Sequence, residues 1–439
     1  MKHLHGRVVL SNASGTQPIE IRTSVAPTKR RASLRRSFTR ALAGNVFYTG
    51  CQGLMTIALA RLGPPELLGM FGLGIAVAAP VVELASLHLK VVESVDVTQK
   101  HSFYDYFRLQ SVTSSLAMIV VAGLALLGPF RGEAALTILF CGLAKVFEAA
   151  GFICHGKMQQ LERTDLIAIS LTLRGIGSLV AIVLGVGLSQ RVSIGVLAMA
   201  LTWLAILLLY DLPHARALQT PLATDGQPRL RVLGRIAWMA LPLGLFVGMN
   251  SLLTNAPRYF VEGSLGVREL GIFSALAYLG LAARAFYMSF LNAVLARLAD
   301  HYIEGEFRQF LSIIGKTSGF IFVLGMASCL ATYVFGDWIL LIFGREYQGE
   351  KTVLTLLTAA MVLKTLWMLF VSSLYAMKRF RLILLLQAPG GLLLFGLLSL
   401  LVSRYGLAGA AWSILAASIL DVMLFSSIVI GSLRWRREL

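Results

Sequence analysis

"RLGPPELLGMFGLGIA" runs from Arg61 to Ala76, and "TNAPRYFVEGSLGVRELGIFSALA" runs from Thr254 to Ala277. Both carry Leu-Gly-x-x-Glu-Leu followed closely by Gly-x-Phe. Leu62, Gly63, Glu66, Leu67, Gly69 and Phe71 answer Leu265, Gly266, Glu269, Leu270, Gly271 and Phe273, with one residue inserted in the first copy. Each copy is a short polar interruption between two long apolar runs. An echo in such equivalent places suggests a duplicated unit, and composition indicates what kind.

With 57% hydrophobic and 14% charged residues, the chain lies outside soluble globular usage and reads as an integral membrane protein. A spanning helix needs about 20 mostly apolar residues. That template gives twelve candidates, at roughly 42–62, 66–89, 109–130, 133–154, 166–188, 193–210, 236–255, 270–296, 312–335, 352–376, 382–403 and 406–432. The alternating ten-residue segments of a transmembrane barrel do not occur. The expected fold is all-α, about 12 helices in two six-helix lobes.

The first 40 residues are polar, Ser/Thr-rich and basic, with Lys29, Arg30, Arg31, Arg35, Arg36 and Arg40 crowding the first span. They lack the apolar core and cleavage site of a secretory signal peptide. They read as a disordered basic cytoplasmic tail, although an Arg- and Ser-rich transit peptide has a similar composition. With the amino terminus inside, most of the 39 Lys and Arg fall in inner tails and loops, as orientation by positive charge requires. The net charge of +17 then follows from topology and an anionic inner leaflet, and requires no nucleic acid. The expected organisation is a tail over 1–40, a first lobe over 41–210, a cytoplasmic linker over 211–235, a second lobe over 236–432 and a tail over 433–439. Pro213, Pro221 and Pro228 mark the linker.

Outer loops are short; the longest is the region around "GDWILLIFGREYQGEK", leaving no room for a soluble catalytic domain. HExxH, GxSxG, a Gly-rich phosphate loop and CxxC are all missing. Cys51, Cys141, Cys154 and Cys329 are isolated within apolar spans and read as packing residues. No catalytic residue and no resident cofactor or metal is expected.

Each half contains an even number of spans, so the two copies share one orientation and are related by an axis along the membrane normal. Parallel repeats around a central cleft are transporter architecture. Charges at bilayer depth are costly and usually face a cavity or a partner. Lys145, Arg174, Arg284 and Lys364 fall near the middle of their spans. Lys145 and Lys364 each lie in the fourth span of their half, before His155-Gly156 and Tyr375-Ala376, so the repeat sets them opposite each other. Glu83, Glu148 and Asp421 are the embedded acids, and Glu148 is spaced to pair with Lys145 on one helix face. Either these charges form internal pairs that pin helices, or they line a hydrated cavity for an anionic headgroup. Arg brings fork geometry suited to phosphate, and Lys a mobile point charge. Pro257 is expected to end the seventh span, with Arg258 at its outer rim, where it either meets a phosphate or sugar of the substrate during release or anchors the helix at the interface, and with Asn250 deeper, as a substrate-binding cavity residue. Glu269 reads as solvated or capping. Pro80, Pro242 and Pro389 are candidate bends.

"ALAGNVFYTGCQGL", "FGLGIAVAAPVVELASLHLK", "FYDYFRLQ", "LAKVFEAAGFICHGKMQQLERTDLIAISLTLRG", "LPLGLFVGMNSLLTNAPRYFVEGSLGVRELGIFSALAYL" and "LIFGREYQGE" together resemble polysaccharide biosynthesis proteins. These are the lipid-linked oligosaccharide flippases of the multidrug/oligosaccharidyl-lipid/polysaccharide export superfamily, and the similarity spans nearly the whole chain after the tail. The resemblance implies a V-shaped bundle of two lobes in the bacterial inner membrane, both termini cytoplasmic. It implies a polyprenyl-pyrophosphate-linked glycan moved from inner to outer leaflet by alternating access, with Lys145, Arg174, Arg284 and Lys364 in the cationic cavity. His155 departs from the family pattern, which has Tyr before the Gly at the end of the fourth span.

Glu83, Glu148 or Asp421 is a candidate carrier for a coupling proton or sodium ion. A polysaccharide polymerase or another assembly protein is a candidate partner. The rival readings are a cation-coupled multidrug antiporter of the same fold, expected to hold more acids than bases in its cavity, a membrane-embedded glycan polymerase or transferase, and a non-transporting scaffold.

Overall fold

The structure is a computed structural model that describes residues 30–96, 101–219, 229–279, 294, 298, 301–302, 304–377 and 379–435. The described chain is helical nearly throughout. α1 (Arg30–Leu62), α2 (Pro65–Ala85), the short α3 (Leu89–Val95), α4 (Phe103–Leu127), α5 (Gly132–Gln160), α6 (Thr164–Ser189) and α7 (Val192–Ala217) build the first lobe. α8 (Arg229–Leu265), α9 (267–279), α10 (Phe307–Leu341), α11 (Lys351–Ala376) and the continuous run Phe380–Trp435 build the second. Gly406, at φ 59° and ψ −137°, breaks that run into α12 (380–405) and α13 (407–435).

Nine helices among the described residues are long and apolar enough to cross a membrane, and the last of these, Leu382–Ser432, is the pair divided at Gly406. α1 covers the place of one further expected span and α9 the beginning of another, although α1 starts at Arg30, within the stretch expected to be a disordered tail. The protein is therefore an all-α, multi-pass membrane protein.

Local chemistry sets the ends. Pro65 opens α2 with a fixed φ and no wasted donor. Ser102 and Asp105 close a capping box on α4: Ser102 Oγ accepts from Tyr104 N–H and Asp105 Oδ2 accepts from Ser102 N–H. Gly266, at φ 91°, supplies the left-handed residue that turns α8 into α9. Asn255 and Pro257 do not end the seventh span. α8 runs through both to Leu265, because neighbouring helices in a bundle tolerate the donor that proline removes. α7 likewise passes the expected lobe boundary at 210 and continues to Ala217. Its last turns widen into a π-helix over Leu207–Asp211, two residues before Pro213, which has no N–H for the carbonyl of Leu209.

The ends are called outer and inner after the charge-based expectation. In the outer half one apolar core runs through both lobes, from Met55, Leu68 and Phe71 to Leu270, Phe273, Leu354 and Leu398. In the inner half it divides. Leu89, Phe103, Ile153 and Leu207 centre one core, with Ile236 and Ala240 of α8 packed into it, while Phe310, Leu369, Leu374 and Phe425 centre the other. The lobes thus share one core at the outer end and have separate cores inward, where, among the described residues, α8 alone of the second lobe packs on the first.

The echoed motifs form that junction. A Cβ added to Gly69 would lie 2.0 Å from the carbonyl oxygen of Val267, and one added to Gly271 would lie 1.9 Å from the carbonyl oxygen of Pro65. Each repeat's glycine therefore receives the other repeat's turn. Arg61 closes the same end by donating to the carbonyls of Leu341 and Ile342, at 2.6 and 2.8 Å.

Candidate cavity between the lobes

Below the glycine contact, a cavity of about 610 Å³ lies between the lobes. Its walls come from α1, α2, α5 and α7 on one side and from α8, α9, α11, α12 and α13 on the other. Lys145 and Lys364 face it from opposite lobes, so the equivalence of their positions in the repeats is realised in space. Asn250 and Arg258 also line it, as do Glu83, Glu148 and Asp421.

Lys145 is held by its own helix. Its Nζ donates to Glu148 Oε2 at 2.7 Å, and Tyr48 of α1 donates to Glu148 Oε1 at 3.2 Å. Lys364 on α11 has Asp421 of α13 as a charged neighbour. The Asp421 carboxylate packs against the backbone of Gly390, where a Cβ would lie 1.8 Å from Oδ1, and that oxygen is buried without a hydrogen-bond partner among the described residues.

Arg258 is not at the outer rim. Because α8 continues past Pro257, Arg258 sits one turn beyond Asn255 and points into the cavity. Its Nη1 donates to Asn255 Oδ1 at 2.5 Å, and its Nε is buried with no partner among the described residues. Asn255 lines the cavity as well, its amide donating to the carbonyl of Ser251.

Arg174 belongs elsewhere. It is 1% exposed, and its Nη2 donates to Asp211 Oδ2 at 2.8 Å inside the first lobe. The guanidinium lies over Gly151, where a Cβ would stand 1.8 Å from Nη2, with its central carbon 5.8 Å from the Trp203 ring centre. His155 completes the cluster: Nε2 is 2.9 Å from Ser170 Oγ and 3.6 Å from Asp211 Oδ1. The face of α6 bearing Arg174 turns to α5 and α7, so this charge joins three helices and does not line the cavity. Arg284 lies outside the described residues.

Among the described residues the lining therefore holds three cations, Lys145, Arg258 and Lys364, and three acids, Glu83, Glu148 and Asp421. Sequence reasoning missed Tyr48, Gln52 and Gln387 on the walls. It also placed Asp211 in a linker because Pro213 read as a breaker. Four cysteines are free, as their isolation suggested.

No family model matches the chain. The capsular polysaccharide biosynthesis protein CapF of Staphylococcus aureus is 24% identical over 384 residues, covering 86% of this chain and 95% of the relative. Among solved structures, an inward-facing multidrug resistance MATE family transporter of the MOP superfamily matches with TM-score 0.69 and 16% identity, covering 89% of this chain and 95% of its own. An outward-facing transporter of the same description matches with TM-score 0.65 and 13% identity, over 94% and 99%. A MOP superfamily transporter from Pyrococcus furiosus, described as having a binding pocket of reversed polarity, matches with TM-score 0.64 and 14% identity, over 92% and 96%. Sequence and architecture agree: the chain resembles polysaccharide biosynthesis proteins and has the twelve-helix, two-lobed fold of the MOP superfamily.

Proposed function

We propose that the protein moves a polyprenyl-pyrophosphate-linked oligosaccharide from the inner to the outer leaflet of the bacterial inner membrane by alternating access, with both termini cytoplasmic. The observation that carries this reading is the pair Lys145 and Lys364, repeat-related cations facing one cavity from opposite lobes. A pyrophosphate between them would contact both lobes at once, so its transfer would be tied to the lobes' relative movement. Arg258 adds a guanidinium with an unpartnered Nε, suited to a phosphate oxygen. The substrate's polar head needs a hydrated path while its prenyl tail stays in lipid, and lobes with separate inner cores serve both.

Coupling to a proton or sodium gradient belongs to the same reading. Of Glu83, Glu148 and Asp421, Glu148 is occupied by Lys145 and Tyr48, and Asp421 offers the unpartnered oxygen. A glycan polymerase or another assembly protein would take the lipid-linked product. The three acids in the lining also favour a second reading, a cation-coupled multidrug antiporter.

Two measurements separate these. Deletion of the gene should accumulate an intact lipid-linked repeat unit on the inner leaflet, whereas truncated glycans would indicate an enzyme. Proteoliposomes should translocate a fluorescent polyprenyl-pyrophosphate sugar, with Lys145→Ala and Lys364→Ala each slowing it by about tenfold or more. Uptake of an organic cation with no movement of the pyrophosphate probe would replace the flippase reading with the antiporter.

A further inference from the structure

At the inner end of α2 the chain makes an elbow that the cavity does not account for. Leu87 and His88 both adopt left-handed backbone, with φ 48° and 52°. Two consecutive non-glycine residues in that region are strained and persist only where their surroundings hold them. The elbow sends α3 back into the first lobe, under α5. There Glu93 is 1% exposed, and neither carboxylate oxygen has a hydrogen-bond partner among the described residues. Its Oε2 lies against Gly156, where a Cβ would be 2.7 Å away, and the backbone of Lys90 crosses the same glycine at 3.0 Å.

The groups around Glu93 do not neutralise it. Lys157 of α5 is near and 3% exposed, but its Nζ donates to Gln160 Oε1 at 2.8 Å and forms no ion pair within reach of Glu93. Asp96, at the end of α3, accepts from Tyr106 of α4. Cys154 and His155 of α5 flank Gly156; Lys90, on α3 itself, lies over the Phe152 ring, and His88 occupies the elbow. An ionised carboxylate enclosed this way, with no donor, is costly, and the neutral acid is tolerated.

The elbow is also where the second lobe seats on the first. A Cβ on Gly244 of α8 would meet the Leu87 Cα at 2.9 Å, and one on Gly248 would meet the Leu84 Cβ at 2.7 Å. Seating α8 therefore requires the strained elbow, and the elbow requires α3 docked with Glu93 inside.

We propose that Glu93 is a proton-binding site that latches α3 under α5 and thereby holds the inner half of α8 on the first lobe. With its proton, Glu93 stays against Gly156 and the elbow keeps its left-handed turn. Loss of the proton leaves a charge that must reach water, so α3 undocks, Leu87 and His88 relax, and the seat for Gly244 and Gly248 is lost. The inference does not depend on what the cavity carries.

Hydrogen–deuterium exchange on the full-length protein in nanodiscs tests it, across about pH 6 to 10, with rates corrected for intrinsic exchange. In the wild type, amides of 86–95 and of 240–250 should lose protection together as pH rises, by about tenfold or more. Glu93→Gln should hold both segments protected at every pH. His88→Gly, which removes the left-handed strain, should retain the transition and move its midpoint upward by up to about one pH unit. A transition that survives in Glu93→Gln, or vanishes in His88→Gly, would assign the response to another group and overturn the proposal. So would a flat profile in wild type, or a response in 86–95 with none in 240–250.

Discussion

Lys145 and Lys364 occupy corresponding positions in two copies of one architecture, yet their surroundings differ. Lys145 is neutralised one turn along its own helix, by Glu148 at 2.7 Å. Lys364 has its acid, Asp421, on a different helix. The first pair is fixed by the helical repeat and survives any movement of α5 as a body. The second depends on how closely α11 and α13 approach, so its charge balance changes when those helices shift. Duplication preserved the cation in each wall and left the means of compensating it free to diverge.

The largest effect that would break this comparison comes from removing each lysine. Both variants should impair transport, but only one should seriously weaken the fold. Lys145→Ala strands Glu148 in a largely buried site with Tyr48 as its remaining partner, a loss of about 2–4 kcal/mol. Adding Glu148→Gln should recover most of it. Lys364→Ala should cost less, since it strands no carboxylate on its own helix. Thermal melting in one detergent decides the matter. Equal losses from both single variants, or no recovery in the double variant, would show that the lobes are electrostatically alike.

Where the lysines diverge, the glycines of the outer junction remain reciprocal. Gly69→Ala and Gly271→Ala each drive a methyl toward a backbone carbonyl of the other lobe, and backbone cannot rotate away. Each should destabilise the junction by about 1–3 kcal/mol, and to a similar extent. The double variant should fall well short of the sum, because the first substitution already parts the helices. A large inequality between the single variants would limit the symmetry to sequence. Arg61→Ala, at the same end, removes two hydrogen bonds at an exposed site and should cost about 1 kcal/mol, visible as faster exchange in 339–345.

The fold was legible because apolar length and charge asymmetry are strong, additive signals over hundreds of residues. The echo of Leu-Gly-x-x-Glu-Leu exposed the duplication, and even the facing of Lys145 and Lys364 followed from it. What failed depended on which way a helix face turns. Arg174 and Lys145 look alike in sequence, both cations near mid-span, but α6 turns Arg174 toward Asp211 and Gly151. Only the acid that pairs with it could have signalled this, and Pro213 had hidden Asp211 in an expected linker. Pro257 misled in the same way: proline is a dependable helix end in water and a poor one in a bundle, so Arg258 read as a rim residue although it faces the cavity. The strained elbow at Leu87 and His88 has only a weak signal in sequence, since histidine is somewhat enriched in left-handed backbone but leucine is not.

The smallest prediction concerns the second repeat's own motif. Glu269 of the "LGVREL" stretch shares a second outer pocket with Glu350, beside Tyr405 and Gly406. Burial pushes the Glu350 carboxyl above its ordinary value, and the negative charge of Glu269 pushes it further. The sign follows from that direction. A carboxyl raised by folding prefers its proton in the folded state, so its ionisation costs stability at neutral pH, and the cost disappears as pH falls below the ordinary carboxylate range. Glu350→Gln should therefore stabilise the outer end at pH 7, by a few tenths of a kcal/mol because solvent screens the half-buried pair. The gain should vanish near pH 4. Exchange of the 347–352 amides at the two pH values measures it, and an equal gain at both would trace the effect to packing and not to charge.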